Sequence, residues 1–236
     1  MSSVALTDVG RQREANEDTV ATESFGEIEL LIVADGMGGH IAGEVASQCA
    51  VDSIIDCVQA AFDEQRTDYE AILEEAVSGA NQAIHARAEE DPSLSGMGTT
   101  AVVALCVGDE AIIANVGDSR GYHIGDKIEQ VTVDQSLVQV LVEEGEITEE
   151  EAVDHPQRNV IAQSLGSTSD VEPDVYRVQV EGTVLLCSDG LTEEVDDERI
   201  EDIISQSASL EEAVEELIQM ANENGGSDNI SVVLHE

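Results

Sequence analysis

Residues 28–40 read IELLIVADGMGGH. Six of the first seven residues are apolar, and the run stops at Asp35-Gly36. An apolar run that short, closed by an acidic glycine turn, is the pattern of a strand buried on both faces. Immediately after it, apolar residues recur at helical spacing from Ala42 to about Phe62, and again from Tyr69 to Ala88. A buried strand therefore feeds two successive helices.

The rest of the chain extends this order. Ser2–Val9 alternates as a strand. Thr99–Val107 (TTAVVALCV), Ala111–Val116 and Tyr122–Ile124 form a run of strands, with turns at Gly108-Asp109 and Gly125-Asp126 that predict antiparallel hairpins. Leu137–Glu143 is a short helix, and Thr148 with Glu151 can cap another. Val175–Val180 and Thr183–Cys187 read as a further hairpin across Glu181-Gly182. Ile200–Ile204 and Leu210–Met220 are amphipathic helices, and Ile230–Leu234 is a last strand. Strands, two helices, many strands, two helices and a strand exclude parallel βαβ alternation. They predict an α+β layered sandwich of antiparallel sheets with helix pairs outside. A length of 236 residues without linker or repeat predicts one domain, 1–236.

Composition narrows the class. Hydrophobic residues make up 42 % of the chain and aromatics 2 %, so the core is aliphatic. There are 52 acidic residues against 9 basic ones, a formal net charge of -43, and Lys127 is the single lysine. Such self-repulsion destabilises a compact state in dilute buffer. At about 1 M salt the Debye length falls to about 3 Å and most of the repulsion is screened. Acids spread along the whole chain point to a halophile's cytoplasmic protein; an acidic buffer or interaction protein is the alternative. Nucleic acid is excluded as a partner for lack of a basic patch. No apolar run spans about 18 residues, so no membrane segment is expected. Cys49, Cys57, Cys106 and Cys187 form no CxxC pair and are expected to be buried free thiols.

Among so many acids, the informative ones stand at strand ends beside Gly, Ser or Asn. Five segments qualify: Asn16-Glu17-Asp18, Asp35-Gly36-Met37-Gly38-Gly39-His40, Gly117-Asp118-Ser119-Arg120, Ser188-Asp189-Gly190, and Gly225-Gly226-Ser227-Asp228-Asn229-Ile230. Carboxylates gathered at one edge of a sandwich suit hard cations, Mg²⁺ or Mn²⁺, rather than zinc. Each segment alone also reads as an ordinary Asx turn. Arg13 can hold two phosphate oxygens, or pair with one of the many acids. Arg120 reads as structural. His40 can donate a proton to a leaving alkoxide, whereas His85, His123, His155 and His235 lack such a setting.

These segments resemble a known family. Thr7-Asp8-Val9-Gly10 with Arg13 and Asn16-Glu17-Asp18, DGMGGH at 35–40 followed by AGEVAS at 42–47, and Gly98-Thr99-Thr100-Ala101 are similar to motifs of bacterial-type type 2C protein serine/threonine phosphatases. GDSR at 117–120, SDGLT at 188–192 and GGSDNIS at 225–231 complete the series in the same order. The resemblance implies a four-layer α-β-β-α sandwich with two central antiparallel sheets flanked by helix pairs. It implies hydrolysis of phosphoserine and phosphothreonine by direct attack of a metal-bridging hydroxide, with two Mn²⁺ or Mg²⁺ ions. Asp35 would bridge both ions and the Gly36 carbonyl would bind one. Asp189 and Asp228 would hold the other, with Glu17 serving the Gly36 ion. Asp118, with Asp189, would form a weaker third site. Asp18, Thr100 and Asn229 would support the ligands, Arg13 would grip the phosphate, and His40 would be the general acid. A mobile flap is expected at 134–166. The chain departs from the family where Gln135 stands in place of a common His, and Gln163 in place of a common Arg. The implied partners are phosphorylated proteins and a eukaryotic-like kinase, and monomer is the default. A non-catalytic relative and a generic acidic metal binder are the competing readings.

Overall fold

The computed structural model describes residues 2–39, 41–153 and 155–236. In chain order the strands are β1 Ser3–Asp8, β2 Thr19–Phe25, β3 Ile28–Ala34, β4 Gly36–Met37, β5 Gly98–Thr99, β6 Ala101–Val107, β7 Glu110–Val116, β8 Arg120–Ile124, β9 Ile128–Gln130, β10 Asp174–Gln179, β11 Thr183–Cys187 and β12 Ile230–His235. The helices are α1 Ile41–Asp63, α2 Tyr69–Glu90, α3 Leu137–Glu143, α4 Glu149–Val153, α5 Asp189–Thr192, α6 Asp197–Gln206 and α7 Leu210–Asn224. One sheet has the order β10-β7-β6-β3-β2 and the other β1-β12-β11-β8-β9; β4 and β5 form a small ribbon. Every pairing is antiparallel.

Three apolar layers hold the sandwich together, and the strands show why. In β3, Leu30, Ile32 and Ala34 pack under α1 and α2, while Leu31 and Val33 face the other sheet. In β11, Leu185 and Cys187 pack under α6 and α7, and Val184 and Leu186 face inward. A strand covered on both sides gains from apolar residues at every position, about 1.5–3 kcal/mol for each large side chain buried. The run IELLIVA is that arrangement written in sequence. Three of the five aromatics, Phe25, Phe62 and Tyr69, stack edge-on where α1 turns into α2, with centroids 5.1 and 6.3 Å apart.

Most expected elements are present. β3 and α3 have the predicted bounds. Thr148 and Glu151 form a reciprocal capping box, each backbone N–H donating to the other's side chain. The β6–β7 turn is Gly108-Asp109, as expected. The β8–β9 connection is a three-residue loop, 125–127, rather than a two-residue turn.

Residues 175–180 and 183–187 do not form a hairpin. β10 pairs with β7 in one sheet, whereas β11 lies between β12 and β8 in the other. The chain crosses between sheets at Glu181-Gly182, where Gly182 has φ +128° and a Cβ would strike the Ile124 carbonyl. Strand β2, TVATESF, is an edge strand with no fully buried residue, and its mixed pattern hid it. Cys106 and Cys187 are buried thiols as expected, but Cys49 and Cys57 on α1 are half-exposed.

The segment 134–166 carries α3 and α4 and returns along the sandwich edge. Bridge Ser136↔Ile161 ties its outgoing arm to its returning arm, and Thr99↔Leu165 fastens the return to β5.

Candidate active site

Both sheets deliver the acidic segments to the same edge. β3 ends just before Asp35, β7 just before Asp118, β11 just before Asp189, and β12 begins just after Asp228 and Asn229. The loop after β1 brings Arg13, Glu17 and Asp18. There all of these but Asp18, which lies behind the wall, line a cleft of about 630 Å³ whose other wall is the return of segment 134–166, at Ile161–Ser164.

Close packing of backbone fixes the walls. A Cβ on Gly36 would collide with the carbonyls of Gly43 and Glu17, and one on Gly43 with the Glu17 carboxylate. Gly190 has no room for a Cβ against the Asn229 carbonyl. Asn229 staples the first loop: its Nδ2 donates to Val9 O (2.9 Å) and Ala15 O (3.0 Å), and its Oδ1 accepts from Glu17 N (2.8 Å). Thr100 supports two acidic segments at once. Its Oγ1 accepts from Asp35 N (3.0 Å) and meets Ser119 Oγ at 2.8 Å.

The carboxylates are under electrostatic strain. Asp18 is 8 % exposed. Its Oδ2 accepts from Ser188 Oγ (2.9 Å) and Ser231 Oγ (2.6 Å). Desolvation outweighs those hydrogen bonds and pushes its carboxyl up to about 6. Asp118 is pushed up to about 6 by desolvation and then by the charge of Asp134. Asp35 is held well above the carboxylate range by desolvation and then by Asp18, Asp189, Asp118 and Asp228. Asp189 is raised likewise by desolvation and then by Asp118 and Asp228. Four mutually repelling acids at one cleft floor are costly unless positive charge compensates them.

The donor set fits a hard divalent cation. The buried oxygens Asp18 Oδ1 and Asp189 Oδ1 have no hydrogen-bond partner. Asp35, Asp118, Asp189 and Asp228 offer further carboxylate oxygens, and Gly36 lets its backbone come close. Among the described residues no three His, Cys, Asp or Glu side chains are placed so that they could hold a metal ion as they stand. Asp228 instead accepts from Arg13 Nη2 at 2.5 Å.

Arg13, Glu17, Asp35, Gly36, Asp118, Asp189, Asp228 and Asn229, all singled out in the sequence, line the cleft. Asp18 and Thr100 sit behind it, tied to its lining residues. Arg120 is structural: its guanidinium holds both oxygens of Asp134 at 2.7–3.1 Å. His40 lies outside the described residues. The sequence reading missed the serines. Ser188 and Ser231 aim their hydroxyls at Asp18. The signal was present in β12, where Ser231 is the one small polar residue in the run ISVVL.

The two positions that depart from the expected motif prove to touch: Gln163 Nε2 donates to Gln135 Oε1 at 3.1 Å.

Known proteins share this fold. The family model described as protein phosphatase 2C matches residues 10–235. The serine/threonine phosphatase stp of Listeria innocua serovar 6a is 42 % identical over 239 residues, covering 98 % of this chain and 93 % of that protein. The crystal structure of the Mycobacterium tuberculosis serine/threonine phosphatase PstP/Ppp superposes with a TM-score of 0.89 at 41 % identity, covering 99 % and 97 % of the two chains. The catalytic domain of PstP, solved in complex with two manganese ions, gives a TM-score of 0.83 at 39 % identity and covers 99 % and 96 %. With the family model matched over residues 10–235 and relatives about 40 % identical over nearly the whole chain, this chain belongs to the protein phosphatase 2C family.

Proposed function

We propose that the cleft is the active site of a metal-dependent protein serine/threonine phosphatase whose single catalytic domain is residues 1–236. The observation that carries this reading is the convergence of Asp18, Asp35, Asp118 and Asp189 from separate strand ends onto one desolvated floor. Asp35, the Gly36 carbonyl, Asp189 and Asp228 would hold two Mn²⁺ or Mg²⁺ ions, with Glu17 beside the first and Asp118 at a weaker third position. Divalent ions bound there supply Lewis-acid charge and acidify water enough for it to attack phosphorus at neutral pH.

The chain's own groups do the rest. Asp18, fixed by Ser188 and Ser231, keeps a buried oxygen without a hydrogen-bond partner and can orient water or a ligand. Thr100 fixes the backbone of Asp35. Arg13 is half-exposed and needs only to release Asp228 to grip two phosphate oxygens. His40 follows the cleft-lining Gly39 in the chain and would protonate the leaving serine or threonine oxygen. The chain has four cysteines and no CxxxxxR loop, so nothing favours a cysteinyl-phosphate route.

Several finer assignments belong with this reading: phosphorylated proteins as substrates, a eukaryotic-like kinase as the opposing enzyme, a monomer, and a salt-rich cytoplasm. Among the described residues no helix is long and apolar enough to cross a membrane.

The test is hydrolysis of p-nitrophenyl phosphate and a phosphothreonine peptide in molar KCl with Mn²⁺. Asp35→Asn and Asp228→Asn should each lose on the order of 10²–10³-fold in kcat. Equal rates in all three proteins would overturn the reading. Metal binding by calorimetry without turnover in the wild type would favour a non-catalytic relative.

A further inference from the structure

Asp118 is held from two sides by different parts of the molecule. The residue after it, Ser119, is tied to the sandwich through Thr100 Oγ1 at 2.8 Å. The residue before it, Gly117, is tied to segment 134–166. Gly117 N donates to Gln135 Oε1 at 3.0 Å, and Gln135 N donates to Gly117 O at 2.9 Å. Gly117 has φ +105°, and its Cα abuts the Thr100 side chain so tightly that a Cβ would collide with it. The turn is therefore wedged between Thr100 and Gln135, with one further bond from Asn115 Nδ2 to Gly117 O at 3.2 Å.

Gln135 is itself held from across the segment. Gln163 Nε2 donates to the same Oε1 at 3.1 Å and to Glu172 O at 3.1 Å. Gln135 Nε2 donates to Asp174 Oδ2 at 2.7 Å and Asn115 O at 3.4 Å. Ala162 N donates to Gln135 O at 2.7 Å. Gln135 and Gln163 thus join the outgoing and returning arms of the segment and press both onto the Gly117 turn. The bond between the two amides carries no charge, so salt screening leaves it intact in a chain of net charge -43.

From this arrangement we infer that Gln135 and Gln163 are positioning residues for Asp118: the amide clasp couples the seating of segment 134–166 to the place of that carboxylate in the cleft. When the segment is seated, Asp118 faces Asp189. When Gln163 lets go, Gln135 loses one of its restraints, and its grip on the Gly117 turn is anchored only through Asp174, Asn115 and Ala162. Metal affinity at the Asp118 position then depends on whether the cleft wall is in place. The inference deepens the phosphatase reading, and only its catalytic readout rests on that reading.

The test is a cycle of Gln135→Leu, Gln163→Leu and the double variant, with Gln139→Leu on α3 as a control outside the clasp. Each single variant should speed amide exchange in residues 114–120 and weaken the weakest Mn²⁺ step in calorimetry by about five- to tenfold, the scale of one or two lost amide hydrogen bonds. The double variant should be no worse than the worse single, because both residues act as one unit. kcat should fall with KM for the small substrate nearly unchanged, and Gln139→Leu should change nothing. If Gln135→Leu fails to fold, Gln163→Glu takes its place. At pH 8 its carboxylate offers only acceptors to Gln135 Oε1 and Glu172 O, so its effect should be at least that of Gln163→Leu. Faster exchange confined to 159–165, with residues 114–120 and Mn²⁺ binding unchanged, would overturn the inference. Additive effects in the double variant would overturn it too. Exchange and Mn²⁺ effects as expected in a protein without phosphatase turnover would instead overturn the functional reading and leave the clasp standing.

Discussion

The cleft floor and the outer face of α7 are both crowded with acid, yet they are opposite physical objects. On α7, Glu212, Glu215, Glu216 and Glu223 line a shallow groove open to solvent, where water and counter-ions meet each charge separately. At the cleft floor, Asp18, Asp35, Asp118 and Asp189 are desolvated and feel one another, and their carboxyls are raised. Elsewhere on the surface the shift reverses: hydrogen bonds from Arg66 lower Asp68 and Glu75. Identical residue types thus mark function only where water is withheld and partners of opposite charge are missing.

The largest test of this contrast removes one charge from each place. Asp18→Asn keeps the side-chain volume and can still accept from Ser188 and Ser231. It should lower Mn²⁺-dependent turnover by about 10–100-fold, as expected for a group that orients metal ligands. Glu211→Gln, at the exposed start of α7, should leave turnover unchanged. The metal-free Asp18→Asn protein should also melt higher than wild type at pH 8, because an uncompensated buried charge is gone. Lower stability together with full activity would place Asp18 in the scaffold alone.

The second test uses pH. The cleft carboxyls have folded pKa values above their unfolded value near 3.8, so the folded state binds more protons once pH exceeds that value. Stability of the metal-free protein should therefore fall as pH rises from about 4 through 6, and further as Asp35 and Asp189 titrate. Asp18 and Asp118 each contribute on the order of a few kcal/mol. The Arg66-paired surface acids have lowered values and act in the other direction, losing stability only as pH drops below about 4. Denaturation in molar KCl with EDTA, against the same series with Mn²⁺, separates the two. The decline between pH 4 and 6 should appear without metal and vanish with it. A metal-free protein that grows steadily more stable over that range would remove the electrostatic case for a cation site.

How much of this was legible before the fold was known depended on whether the cue was local. Asp35 was readable because an acid and two glycines cannot be surface decoration directly after IELLIVA. Asp189 and Asp228 were readable for the same reason, at the ends of TVLLC and before ISVVL. The crossing at Glu181-Gly182 was not, because a glycine with positive φ serves a hairpin and a sheet change equally well. What decides between them is that β11, apolar throughout, needs cover on both faces and finds it between α6–α7 and the other sheet, hydrogen-bonded to β8 and β12. The contact of Gln135 with Gln163 spans 28 residues of polar segment, and no period in the sequence announces it. The serines behind Asp18 fell between: Ser231 broke an apolar strand visibly, but only the paired sheet showed which acid it served.

The smallest expected effect sharpens the surface half of the comparison. Glu215→Gln combined with Glu223→Gln removes two charges from the α7 groove and touches no buried group. The amide introduced at the second position can still accept the bond that Gln219 Nε2 donates to Glu223 at 2.7 Å. If the acids there act only through mutual repulsion, the variant should melt about 1–2 °C higher in dilute buffer, roughly 0.5 kcal/mol for a chain of this size. In molar KCl, with a Debye length of about 3 Å, the difference should disappear and activity should match wild type. A variant destabilised in concentrated salt would mean that these carboxylates hold ions or water in a specific structure. The sharp line between a functional cleft and a merely solvated face would then have to be redrawn.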